Sequence, residues 1–148
     1  MNKENFSTQL TLWANRVLAV LVFALVFFLP GLLRWYSGIR PFRNHGQEAL
    51  TIDFYLCVPV VEYALWCIDR LVTNVLAQEV FVEKNTGYIR RIRWCCVGVS
   101  GICLPASVFY PPLVFMVVIM AFLALVISMV KNIMAAAVEM REENDLTI

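Results

Sequence analysis

Long apolar runs separated by short polar segments dominate the chain. The first covers 17–33, with Leu12 and Trp13 just before it. With its flanks it reaches the roughly 20 residues that a membrane-spanning helix needs. Pro30 and Gly31 lie near its end, where a kink or an early stop costs little. Residues 34–47 are polar and carry Gly38, Pro41 and Gly46, which predicts a loop. The second run, 49–76, is interrupted by Asp53, Glu62 and the pair Asp69–Arg70. Hydropathy still stays high over 54–61 and 63–68, so it predicts a spanning helix that continues past the bilayer at its C-terminal end. Residues 78–93 form a second polar connection with Glu79, Glu83, Lys84, Arg90, Arg91 and Arg93. Asn85 or Thr86 is placed to cap a short helix that carries the arginines into the next span.

No charged residue occurs from 94 to 130, a stretch too long for one crossing. Pro105, Pro111 and Pro112 lie inside it and predict two helices joined by a tight turn at 107–112. Pro112 suits the first turn of the fourth helix, where its missing N–H is harmless. Residues 129–143 lack Gly and Pro and are rich in good helix formers. A helix from Pro112 to this point is about 48 Å long at about 1.5 Å per residue, against a hydrocarbon core of about 30 Å. Its last turns therefore project into water. Asn144 can end it, leaving 145–148 as an extended tail. The pattern predicts an all-α integral membrane protein, a bundle of four transmembrane helices in one domain. The spans fall at about 13–34, 50–72, 94–109 and 112–131, with a connection at 77–93 and a protruding helix end and tail at 132–148. No internal repeat or low-complexity segment occurs.

Composition sharpens this reading. Hydrophobic residues make up 61% of the 148 positions and charged residues only 16%, and mean hydropathy is +0.73. A soluble domain of this size cannot cover that much apolar surface, whereas a lipid bilayer can. The net charge of +1 gives no reason to expect direct nucleic-acid binding. Arg16 followed by an apolar run opens like a signal peptide, but the run continues to Leu33 with no small-x-small site, so a retained helix is expected. Lys3, Arg16, Arg70, Lys84, Arg90, Arg91, Arg93, Lys131 and Arg141 fall on one side of the predicted membrane, and only Arg34, Arg40 and Arg43 on the other. Short basic loops stay inside, so both termini and the 77–93 connection are expected in the cytoplasm. Trp13 and Trp94 then mark the inner interface, and Trp35, Tyr36 and Tyr110 the outer one.

Candidate chemistry is sparse. Cys57, Cys67, Cys95, Cys96 and Cys103 all lie in apolar stretches without a C-x-x-C pair, and His45 is the only histidine. No metal site with short ligand spacing, cofactor or catalytic residue is expected, and the cysteines read as small buried apolar groups. No nucleotide-binding loop, nucleophile elbow or zinc-protease motif occurs, which argues against an enzyme. Glu62 is the most suggestive residue, since an intramembrane carboxylate is costly and faces the bundle. It shares a helix side with Trp66, Asp69, Arg70 and Thr73. Glu62, Asp69 and Arg70 are therefore a candidate polar site for a proton, a cation or a ligand. The plainer alternative is a protonated or hydrogen-bonded Glu62 that fixes packing, with Asp69 or Arg70 paired to Arg16 or Lys131. Arg90, Arg91 and Arg93 serve topology and anionic lipid, or a cytoplasmic partner. The acidic end, with Glu142, Glu143, Asn144 and Asp145, either solvates the last helix or pairs with those arginines.

Two stretches resemble a known family. Val80-Phe81-Val82-Glu83-Lys84-Asn85 with Tyr88-Ile89-Arg90-Arg91-Ile92-Arg93-Trp94-Cys95-Cys96 is one. Val130-Lys131-Asn132-Ile133, Ala137-Val138-Glu139 and the end from Arg141 to Ile148 form the other. Both are similar to the bacterial membrane family known as domain of unknown function 2975, with Val82 where many members have Thr. The resemblance implies four helices, a bacterial plasma membrane and no established activity. Members are often encoded beside a small helix-turn-helix DNA-binding protein, which suggests a membrane component that senses a signal or holds a transcriptional regulator. The expected function is thus a non-enzymatic regulatory or sensor protein with a cytoplasmic protein partner. A small transporter, channel or immunity-type protein using Glu62 is the alternative, and a structural homo-oligomer a third reading.

Overall fold

The structure, a computed structural model, describes residues 3–39, 45–77 and 83–147, with side chains from Ser7 onward. Arg40, Pro41, Arg43, Glu79 and Ile148 lie outside the described residues, as does the 80–82 part of the family motif. Four α-helices follow in order: α1 (Lys3–Ile39), α2 (Gly46–Leu76), α3 (Glu83–Ala106) and α4 (Leu113–Leu146). Each packs antiparallel on the next, α1 on α2, α2 on α3 and α3 on α4, and among the described residues no other pair of helices has Cα atoms within 8 Å. The bundle is therefore a pleated ribbon of helices, with α1 and α4 as its edges.

Three of the helices are long and apolar enough to cross a membrane. Their most apolar stretches reach mean hydropathies of 2.5, 1.4 and 3.1 in α1, α2 and α4. The surface confirms what the composition implied. Phe27, Phe28, Phe115, Phe122 and Leu125 point outward, and Ala124 is the single buried residue of α4. Apolar side chains on the outside and a thin seam of small and polar groups inside are what lipid-facing helices require. The chain is a lipid-associated membrane protein. The mean hydropathy of α3 is lowered by Glu83, Lys84, Arg90, Arg91 and Arg93 in its first half.

Several boundaries differ from the sequence expectation. The loop expected at 34–47 is shorter, because α1 continues through Pro30 and on to Ile39. A proline inside a helix removes one donor, here the one owed to the Val26 carbonyl four residues earlier. The Tyr55 hydroxyl on α2 donates to that carbonyl at 3.0 Å. The helix can thus continue past Pro30 because its neighbour supplies the missing proton. Asn85 and Thr86 do not cap a helix; both lie inside α3, which starts at Glu83. Asn85 is fully buried and accepts a hydrogen bond from Asn74 Nδ2 at 2.8 Å, clamping the end of α2 to the start of α3. At the other end α4 continues past Asn144 to Leu146, so Asp145 and Leu146 of the extended tail expected at 145–148 are helical. The expected turn is present: the Ser107, Phe109 and Tyr110 amides return to carbonyls of α3, and Pro112 precedes the first residue of α4.

The Tyr55–Val26 bond generates a prediction. Tyr55→Phe should lower stability by about 0.5–1.5 kcal/mol, since it strands a carbonyl in an apolar setting. Pro30→Ala restores the helix's own donor, so it should suppress most of that loss. Unfolding of the four variants of this cycle in mixed micelles is the measurement; strictly additive effects would refute the coupling.

Candidate functional site

Two polar clusters interrupt the apolar interior. The first lies on the α1–α2 seam. Asn15 is buried on α1 and donates from Nδ2 to the Leu65 carbonyl of α2 at 3.0 Å. One turn further along α2, the Arg16 Nε donates to Asp69 Oδ1 at 2.9 Å, forming the interhelical ion pair expected for Asp69. These residues surround a cavity of about 310 Å³ together with Glu62 and Trp66. Glu62 Oε1 is buried there without a hydrogen-bond partner. The structure thus brings Glu62 and Asp69 to one cavity. Arg70 does not line it and instead lies over the Trp66 ring, 5.5 Å from its centre.

The arginines of α3 are held by aromatic faces. Arg91 lies 5.7 Å from the centre of the Tyr88 ring and Arg93 5.4 Å from that of Trp94. Arg93 also donates from Nη1 to Ser128 Oγ of α4 at 3.3 Å. Arg90 is exposed. Among the described residues, Glu142, Glu143 and Asp145 make no ion pair with these arginines. The acidic end of α4 overshoots the start of α3, and of the two alternatives for it the pairing with these arginines does not form among the described residues.

The second cluster went unrecognised in the sequence. Asp53 and Cys57 stand one turn apart on α2, and Cys103 meets them from α3. The two sulfurs are 3.9 Å apart, and Cys103 Sγ donates to Asp53 Oδ2 at 3.5 Å. Asp53 is only 7% exposed, and its second oxygen, Oδ1, has no partner. The signal was the i, i+4 spacing of Asp53 and Cys57. The third member lies 46 residues beyond Cys57, and only the antiparallel register of α2 and α3 brings it in. Toward the start of α2, His45 Nδ1 and Glu48 Oε2 pair at 2.9 Å, so the histidine does have a carboxylate beside it.

The chain belongs to the family described as protein of unknown function (DUF2975), which it matches over residues 5–148. No curated protein and no solved structure matches it.

The α1–α2 cavity makes two contrasting predictions. Glu62→Gln should insert and fold almost normally, because a neutral amide fits a site where the carboxylate has no cation partner. The ion pair, with Arg16 58% exposed, should contribute little, because solvent screens it. Arg16→Gln and Asp69→Asn should then each destabilise slightly, and their combination should cost no more than either alone. Thermal unfolding of the purified variants distinguishes these outcomes. A Glu62→Gln protein that fails to accumulate would show that Glu62 is ionised and paired.

Proposed function

We propose that the protein is a non-enzymatic regulatory or sensor component of a bacterial plasma membrane, with four crossings and both ends in the cytoplasm, acting through a cytoplasmic protein partner. The observation that carries this reading is the paired extension of α3 and α4. Arg93 meets Ser128. Beyond that level α3 continues to Glu83 and α4 to Leu146, about 15 Å and about 27 Å at 1.5 Å per residue. Lys131, Met134, Ala137 and Val138 are half-buried along one stripe of α4, while everything from 139 to 147 is exposed. This projection carries almost half of the molecule's charged residues. Arg90 and Arg91 lie on one helix, and Glu142, Glu143 and Asp145 on the other. A partner reading both would meet a surface of mixed sign.

Chain direction supports four crossings. α2 and α4 are both antiparallel to α3, so they traverse the membrane in the same sense. The chain must then return between them through α3. The charge-free part of α3, 94–106, covers about 20 Å, and the 107–112 turn completes the passage. An even number of crossings places both ends on one side, and the basic residues beside them favour the cytoplasm. A small helix-turn-helix regulator is the partner that the family resemblance suggests, and self-association is compatible with the reading.

A second reading, a small transporter, channel or immunity-type protein, is favoured by the unpartnered Glu62 oxygen in its cavity. Flux of protons or monovalent cations in liposomes, lost in Glu62→Gln, would support it in place of the first.

The partner reading predicts that deleting 144–148 leaves membrane levels intact, since 144–147 are exposed. Recovery of the cytoplasmic partner from native membranes should fall. Undiminished recovery would exclude the tail from the contact. Reporter fusions after Gly46 and Ile148 should report outside and inside respectively, and an outside signal at Ile148 would refute the topology.

A further inference from the structure

We propose that Asp53, Cys57 and Cys103 form a binding site for a soft monovalent metal ion, Cu(I). The inference is independent of the cytoplasmic partner, because the cluster lies near the opposite end of the bundle from the α3–α4 projection. Its geometry suits a metal. An ion about 2.3 Å from each of two sulfurs that are 3.9 Å apart subtends an angle of about 115°. That value lies between tetrahedral and trigonal, so the thiols need little rearrangement. The three ligand atoms lie within 4.8 Å of one another. Asp53 supplies the independent sign of a missing ligand, a carboxylate more than nine-tenths buried with one oxygen unpartnered. Such a group in an apolar interior is costly unless a cation or a donor meets it.

The surroundings select the ion. A cavity of about 340 Å³ adjoins the cluster and is lined by Asp53, Cys57 and Cys103 together with Met116 and Met120 of α4. The two methionines are one turn apart on α4, and each lines this cavity. Thiolate and thioether donors together favour Cu(I) over harder divalent ions. The other walls, including Val22, Leu29 and Val99, are apolar. A second groove, of about 320 Å³, is lined by Asp53 and, toward the start of α2, by His45 and Glu48. It gives an ion a path past an imidazole and a carboxylate to Asp53, whose Oδ2 meets the Cys103 thiol. On binding, two S–H bonds break and two Cu–S bonds form. The two protons leave by the groove, and the oxidation state of the metal is unchanged.

The test uses full-length protein, solubilised in detergent, reduced and kept anaerobic. Cu(I) is titrated against a colorimetric Cu(I) chelator. Wild-type protein should retain one equivalent, C96S should match it, and C57S/C103S should bind at least 100-fold more weakly. One equivalent of Cu(I) should also slow alkylation of Cys57 and Cys103 by N-ethylmaleimide at least 10-fold, with Cys96 unaffected. This second readout decides the matter if the double variant does not fold. Undiminished binding by a folded C57S/C103S protein, or no protection of the two thiols, overturns the site. Displacement of Cu(I) by equimolar Zn²⁺ overturns the choice of ion.

Discussion

Hydrocarbon offers no hydrogen bonds, so every polar group inside the bilayer needs a partner from the protein itself. That constraint fixes how these helices meet. Pro30 interrupts α1, and Tyr55 of α2 reaches across to the carbonyl left open. Asn15 finds the Leu65 carbonyl, Arg16 finds Asp69, and Asn74 finds Asn85. Each bond joins neighbouring helices, and together they set an antiparallel register along both seams of α2. Apolar packing alone would specify this register poorly, because lipid tails attract an apolar side chain about as well as another helix does.

The same constraint explains what the sequence made legible. Charge-free runs and the prolines at 105, 111 and 112 located α4 and the turn before it, since both follow from local chemistry. The Arg16–Asp69 pair was also foreseeable, because a charge near the membrane interface seeks an opposite charge on the facing helix. Boundaries that depend on a neighbour were not legible. Pro30 and Gly31 signal a helix end locally, and the bond that overrides them comes from Tyr55, 29 residues beyond the Val26 carbonyl it meets. Asn85 reads as a cap until Asn74 is seen beside it. The cysteines read as inert apolar filling because their meaning lies in a contact between α2 and α3.

Polar groups are thus distributed unequally along the membrane normal. One end of the bundle carries the arginines, the long overhang of α4 and the Arg16–Asp69 pair. Toward the other end lie the Asp53 cluster and the groove marked by His45 and Glu48. α2 and α3 connect the two ends: Asn74–Asn85 ties them at one, and Cys57–Cys103 lies between them near the other. Both helices run without interruption between these two contacts, α2 through Pro59.

The ribbon arrangement has a mechanical consequence. Among the described residues, Cα atoms of α1 come within 8 Å only of α2, and those of α4 only of α3. Val22 and Leu29 of α1 line one cavity with Met116 and Met120 of α4, so these two helices face each other across apolar space. The hydrogen bonds of Tyr55, Asn15 and Asp69 all hold α1 to α2. Polar attachment on that side alone leaves the width of the cavity to apolar contacts, for which acyl chains compete on nearly equal terms.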